Sequence, residues 1–164
     1  MTTIEADATD FSAALGELIR VVQFRDRDRA CCYDLSVSQC YALARVVEAG
    51  PLTVNELAAH LYLDKSTASR VANTLTAKGL LARTRDASDG RVVRVHATHA
   101  GLETHRRIET DLIAEYAALL VDFDPAVRLA FVEILGRLGR AFARRVDVSN
   151  GRCCAVPTFT GVTQ

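Results

Sequence analysis

At Gly79 the spacing of apolar residues changes from a helical period to an alternating one, and that change limits what the chain can become. Beyond it, residues 80–85 and 91–96 alternate with period 2 around Ser88-Asp89-Gly90, whose Asp-Gly pair predicts a tight hairpin turn. The hairpin carries arginines near its tip. Before Gly79 the chain reads as helices separated by short breaks.

In residues 11–29, Phe11, Leu15, Leu18, Ile19 and Val22 recur at three- and four-residue steps, one face of an amphipathic helix. The run Arg25-Asp26-Arg27-Asp28-Arg29 is read as its solvated end. Ser36 and Gln39 have capping-box spacing, so a helix is expected over residues 37–48, with Cys40, Leu43, Ala44 and Val47 inward and Gly50-Pro51 as its stop. Thr53 and Glu56 form a second such box for a short helix through Leu57 and His60. Leu61-Tyr62-Leu63 follows as a brief apolar connection. Asp64 caps a third helix whose apolar side is Ala68, Val71, Ala72 and Leu75, and Lys78-Gly79 ends it.

Downstream, helical periodicity returns over residues 98–121. It breaks at Asp122-Phe123-Asp124-Pro125, where Asp124 can cap and Pro125 suits a first helical position. A last helix to residue 146 places Val127, Phe131, Ile134, Leu135, Leu138 and Phe142 on one side. Residues 147–164 show no period and are expected to be a mobile, cysteine-containing tail.

Helix, short helix, helix and arginine-bearing hairpin make a winged helix-turn-helix, so the fold class is mainly α with a small β-hairpin wing. The organisation expected is an N-terminal helix and linker (residues 1–34), the winged helix-turn-helix (35–98), C-terminal helices (99–146) and the tail (147–164). Zero formal net charge argues against a nucleic-acid protein only until the charges are placed. Residues 64–96 hold seven cations (Lys65, Arg70, Lys78, Arg83, Arg85, Arg91, Arg94) against Asp64, Asp86 and Asp89, a net +4 that leaves −4 for the rest. A basic module in an acidic frame steers toward DNA.

The exposed side of the third helix then carries Lys65, Ser66, Thr67, Ser69, Arg70 and Asn73, groups that can reach phosphates or base edges. Arg70 is the candidate for a bidentate guanine contact. Arg83, Arg85, Asp89 and Arg91 complete the expected DNA-binding set from the hairpin.

Residues 35–101 resemble the MarR family. The resemblance is carried by Leu52-Thr53-Val54-Asn55-Glu56-Leu57-Ala58, Ser66-Thr67-Ala68-Ser69-Arg70, Leu75, Lys78-Gly79-Leu80-Leu81, Arg83, Asp89-Gly90-Arg91 and Thr98-x-x-Gly101. It implies a homodimer joined through the terminal helices, with recognition helices in successive major grooves of a pseudo-palindromic duplex and wings in the minor groove. Leu15, Leu18 and Val22 are then expected to pack near Phe131, Leu135, Leu138 and Phe142 of either chain. One departure stands out: such wings usually carry an Asp-Arg-Arg run, and here Gly90 replaces the first arginine. The wing contact would rest on Arg91, with Asp89 bracing it by an ion pair.

Cys31, Cys32, Cys40, Cys153 and Cys154 are an odd number, and the acidic N-terminus has no signal pattern and no span long enough for a bilayer, so a reducing cytoplasm is expected. No cofactor is required. Two vicinal thiol pairs suit a thiophilic ion such as As(III), Cu(I), Hg(II) or Zn(II), and cysteine oxidation is the other switch. The expectation is a repressor released by an effector sensed at these cysteines. The alternatives are a repressor answering to a small aromatic ligand with structural cysteines, and a cysteine-rich metal-binding protein without DNA activity. No phosphate loop, nucleophile elbow or redox Cys-x-x-Cys is present, which argues against an enzyme.

Overall fold

Leu35, Ala42, Leu43, Val46, Leu52, Leu57, Ala72, Leu75, Leu81 and Val95 form one buried cluster, drawn from both the helical and the alternating stretches. Burying each leucine contributes about 1.5–3 kcal/mol, and this cluster is what the surrounding elements share. The computed structural model describes residues 3–30, 33–86 and 88–148. Its elements are α1 (Thr3–Ala30), α2 (Val37–Ala49), β1 (Leu52–Thr53), α3 (Val54–His60), α4 (Lys65–Ala77), β2 (Leu81–Arg85), β3 (Val93–Ala97), α5 (His99–Leu120) and α6 (Pro125–Val148). The chain divides after Thr110, within α5, into two compact units.

Both capping boxes form. The Ser36 hydroxyl accepts from the Gln39 N–H (3.3 Å) while the Ser36 N–H donates to Gln39 Oε1 (3.2 Å). Thr53 and Glu56 repeat the exchange at 3.2 and 2.7 Å. Each cap satisfies helix N–H groups that have no carbonyl to meet, and its loss costs about 1 kcal/mol.

The C-terminal ends of α3 and α4 share one geometry, the Schellman motif. In α4 the Leu80 N–H returns to the Leu75 carbonyl and the Gly79 N–H to the Thr76 carbonyl, both at 3.0 Å. In α3 the Leu63 N–H returns to Ala58 (3.0 Å) and the Tyr62 N–H to Ala59 (3.2 Å). The motif needs a left-handed residue, supplied by Gly79 at φ 73° and by Tyr62 at φ 53°. For tyrosine that conformation costs roughly 1–2 kcal/mol.

The structure corrects the sequence reading in four places. α1 begins at Thr3, not near Phe11, because residues 3–10, mostly alanine, threonine and acidic side chains, sustain the helix without showing an apolar stripe. On α2 the fully buried positions are Ala42, Leu43 and Val46, while Cys40, Ala44 and Val47 are half-buried. α2 packs against α1, α3, α4 and β3, so its inward face is wider than one stripe. A third strand, β1, pairs with β3 (Leu52 with Val95, Thr53 with Arg94), giving an antiparallel sheet in the order β1-β3-β2. Two residues are too few to show a period.

Finally, the hairpin is not closed by a two-residue turn. β2 and β3 pair from Leu81 with Ala97 to Arg85 with Val93, which leaves a loop of residues 86–92. Gly90 is not in the left-handed region that a tight turn would demand; among the described glycines only Gly50 and Gly79 are. Side chains tighten the loop instead. Asp86 accepts from the Ser88 N–H (2.9 Å) and hydroxyl (2.5 Å), and Asp89 accepts from the Arg91 N–H (3.0 Å).

α5 is clamped to the junction between α4 and β2. The Thr98 hydroxyl donates to the Gly79 carbonyl (2.7 Å) and accepts from the Gly101 N–H (3.0 Å), while the Thr98 N–H donates to the Leu80 carbonyl (3.0 Å). A Cβ on Gly101 would stand 2.1 Å from that same Leu80 oxygen. Only glycine fits.

The long helices differ from this core. No residue whose side chain is described in α1 is buried, and Gly101 is the one buried residue of α5. Within the second unit, Leu129 and Val132 of α6 are 73% and 70% exposed, and Val127, Phe131, Ile134, Leu135 and Phe142 are also exposed. The Phe123 and Phe131 rings meet edge to face with centroids 5.1 Å apart. No described helix is long and apolar enough to cross a membrane.

Gly101→Ala should therefore destabilise the protein by about 1–3 kcal/mol, the cost of overpacking against fixed backbone, read as a lowered urea midpoint. An unchanged midpoint would mean that α5 and Leu80 separate freely.

Candidate nucleic-acid interface

Asp64 organises the N-terminus of α4. Its carboxylate accepts from the Thr67 N–H (2.9 Å) and hydroxyl (2.6 Å) and from the Ser66 hydroxyl (2.5 Å). These donors, the Ser66 hydroxyl foremost, hold its carboxyl far below the usual range. Thr67 in turn accepts from Arg70 Nη2 at 3.2 Å. Lys65, Ser66, Arg70 and Asn73 are exposed along α4, while Thr67 and Ser69 are half-buried and Ala68, Ala72 and Leu75 face the core.

The cations of the basic module divide into two groups. Lys78 is 28% exposed and reaches across to Asp34, donating to its carbonyl and to its carboxylate (2.9 Å). Arg94 donates from Nε to Asp86 (2.6 Å) and from Nη1 to Glu56 (3.2 Å), so the start of the loop and the cap of α3 share one guanidinium. The Ser88 hydroxyl and Arg94 keep Asp86 well below the usual carboxylate range, and the Thr53 N–H does the same, less strongly, for Glu56. Arg83 donates to Asn73 Oδ1 (2.6 Å), tying β2 to α4 and leaving the Asn73 amide NH2 to donate outward.

The side chains of Lys65, Arg85 and Arg91 have no hydrogen bond or ion pair among the described residues. All three are exposed, one at the start of α4, one at the end of β2 and one in the loop. The expected ion pair between Asp89 and Arg91 does not form. Asp89 accepts instead from the Arg91 backbone N–H.

Of the five cysteines, Cys31, Cys32, Cys153 and Cys154 lie outside the described residues. Cys40 is half-buried in the first turn of α2, against the edge of the core. No group of three metal-ligating side chains occurs among the described residues. The ion pairs that Lys78, Arg94 and Glu56 make were not read from the sequence. Glu56 already had a function as a cap, and no local spacing links it to a residue 38 positions away.

The model of the MarR family matches residues 33–92. A Bacillus subtilis (strain 168) protein named as an uncharacterized HTH-type transcriptional regulator, YxaD, is 33% identical over 128 residues, spanning 78% of this chain and 90% of that one. This chain belongs to the MarR family. MarR proteins are DNA-binding transcription regulators, not enzymes, and the winged helix built above is their reading head. Among solved structures it is similar to a MarR family protein from Bacillus stearothermophilus (TM-score 0.77, 25% identity, 87% of this chain and 98% of that one). It also shares its fold with Streptococcus pneumoniae FabT, solved in complex with DNA (TM-score 0.73, 19% identity, 82% of this chain and 96% of that one).

The lowered carboxylates set an acid limit on the MarR reading head. Depressed pKa values contribute stability that is present above the unfolded values near 4 and is lost as pH falls through the folded ones. The urea midpoint should be flat from pH 8 to about 5 and fall below about pH 4. In Asp64→Asn and Asp86→Asn variants that acid slope should be shallower; an equal slope would show that these two caps do not carry it.

Proposed function

We propose that this MarR protein is a homodimeric repressor that lays α4 in the major groove of a pseudo-palindromic duplex and reaches the minor groove with the 86–92 loop. The observation that carries this reading is the sorting of cations. Lys78 and Arg94 are spent on the fold, whereas Lys65, Arg85 and Arg91 point to solvent without a partner, where phosphates can supply one. Ser66, Thr67, Ser69, Arg70 and Asn73 would meet base edges and phosphates from α4. Arg83 would hold Asn73 in place, and Asp89 would shape the loop that presents Arg91. The complex of FabT with DNA supports the same use of a similar fold.

Dimerisation is supported by the apolar residues that the single chain leaves in water on α1 and α6. A long helix in which none of the residues with a described side chain is buried gains its stability from company.

For the effector, the reading is thiol chemistry at the junction of α1 and α2. Cys40 stands there, half-buried, and α1 packs on α2. A thiophilic ion or an oxidant that favours the state unable to bind DNA would release the operator.

Three measurements test these statements. Arg91→Ala should weaken binding to specific and random duplexes alike, and Arg70→Ala should cost roughly 1–3 kcal/mol on the specific site; unchanged affinity for both in moderate salt would reject the interface. A monomeric mass at micromolar concentration would reject the dimer. Titration with As(III), Cu(I), Zn(II) and peroxide should release DNA from the native protein and less from Cys31→Ser, Cys40→Ser or Cys153→Ser. Release unchanged in all three would take the cysteines out of the mechanism and favour an aromatic ligand.

A further inference from the structure

The two Schellman motifs are built alike, yet α4 ends on a glycine and α3 ends on Tyr62. Tyr62 holds φ 53° and is 60% exposed, while its neighbours Leu61 and Leu63 are half-buried. Its hydroxyl has no hydrogen-bond partner among the described residues. Neither packing nor an internal hydrogen bond accounts for a bulky side chain in a conformation that glycine adopts without strain. A strained residue retained at the surface points to use there.

Its place in the fold says what that use is. Tyr62 lies in the turn of the helix-turn-helix, two positions before Asp64 caps α4. In this motif the first helix crosses the DNA backbone while the second enters the groove, so the turn between them runs beside a sugar–phosphate strand. We propose that Tyr62 is a DNA-backbone contact, its ring lying on a deoxyribose and its hydroxyl donating to a phosphate oxygen. The inference rests on the DNA-binding reading above. A neutral donor displaces no counterion, so the contact adds affinity on any sequence without steepening the salt dependence.

The test measures duplex binding by the full chain at several salt concentrations, using its own upstream DNA and a random duplex, together with thermal unfolding. Tyr62→Gly should weaken both duplexes alike by about two- to tenfold, the range of one neutral hydrogen bond, with an unchanged salt slope and a Tm that holds or rises. Tyr62→Phe should keep the ring's share of the affinity and lose the hydroxyl's. Lys65→Ala, by contrast, should flatten the salt slope by about one. Native affinity in Tyr62→Gly would overturn the inference, and so would a loss accompanied by a fall in Tm, which would make the ring structural. If Lys65→Ala and Arg91→Ala also bind as the native protein does, the DNA reading itself has failed.

Discussion

The reading head depends on a joint between two stretches of backbone. At Gly101 the first turn of α5 comes so close to the Leu80 carbonyl that no side chain can stand between them. Thr98 closes the joint by serving the α4 exit, the β2 entry and the α5 start with one hydroxyl and one N–H. Because Gly79 turns the chain out of α4 immediately beforehand, the end of α4, the start of β2 and the first turn of α5 are joined within a few residues. Steric exclusion by backbone is stiffer than any ion pair, since it does not answer to salt or pH.

Electrostatics divides the rest of the head. Net charge by region suggested a basic module, but only part of that charge is available. Lys78 and Arg94 are consumed by Asp34, Asp86 and Glu56, each joining segments far apart in sequence. These pairs are partly exposed, and their value lies more in fixing the stance of the loop than in stability. What remains outward is a short set of cations on α4, β2 and the loop. Such a set gives a polyanion a geometry to match rather than a diffuse field.

Much of this was legible in the sequence. Capping boxes, the glycine exit of α4 and the alternating strands are written in neighbouring residues, and they formed where expected. The helical face of α2 was read one position off because Ala42 looks neutral on any hydropathy pattern yet is fully buried. β1 is too short to show alternation, and its existence depends on β3 being placed beside it. The 86–92 loop misled for a different reason: an Asp-Gly pair signals a tight turn, but Asp86, Ser88 and Asp89 offer side-chain acceptors and donors that stabilise a longer one. Which arginines of the sheet and loop are free cannot be read locally, since Arg83 finds its partner on α4 and Arg94 reaches the cap of α3.

Glu56 serves two masters: one oxygen takes the Thr53 N–H that begins α3 and also faces Arg94 from the sheet. Loss of Arg94 would leave α3 with both halves of its capping box and release the Asp86 end of the loop, whereas loss of Glu56 would remove one half of that box and leave Arg94 on Asp86. Drift at the two positions is therefore unequal. A change at position 94 frees the loop from the sheet, and one at position 56 reaches only the start of α3 and its tie to that guanidinium.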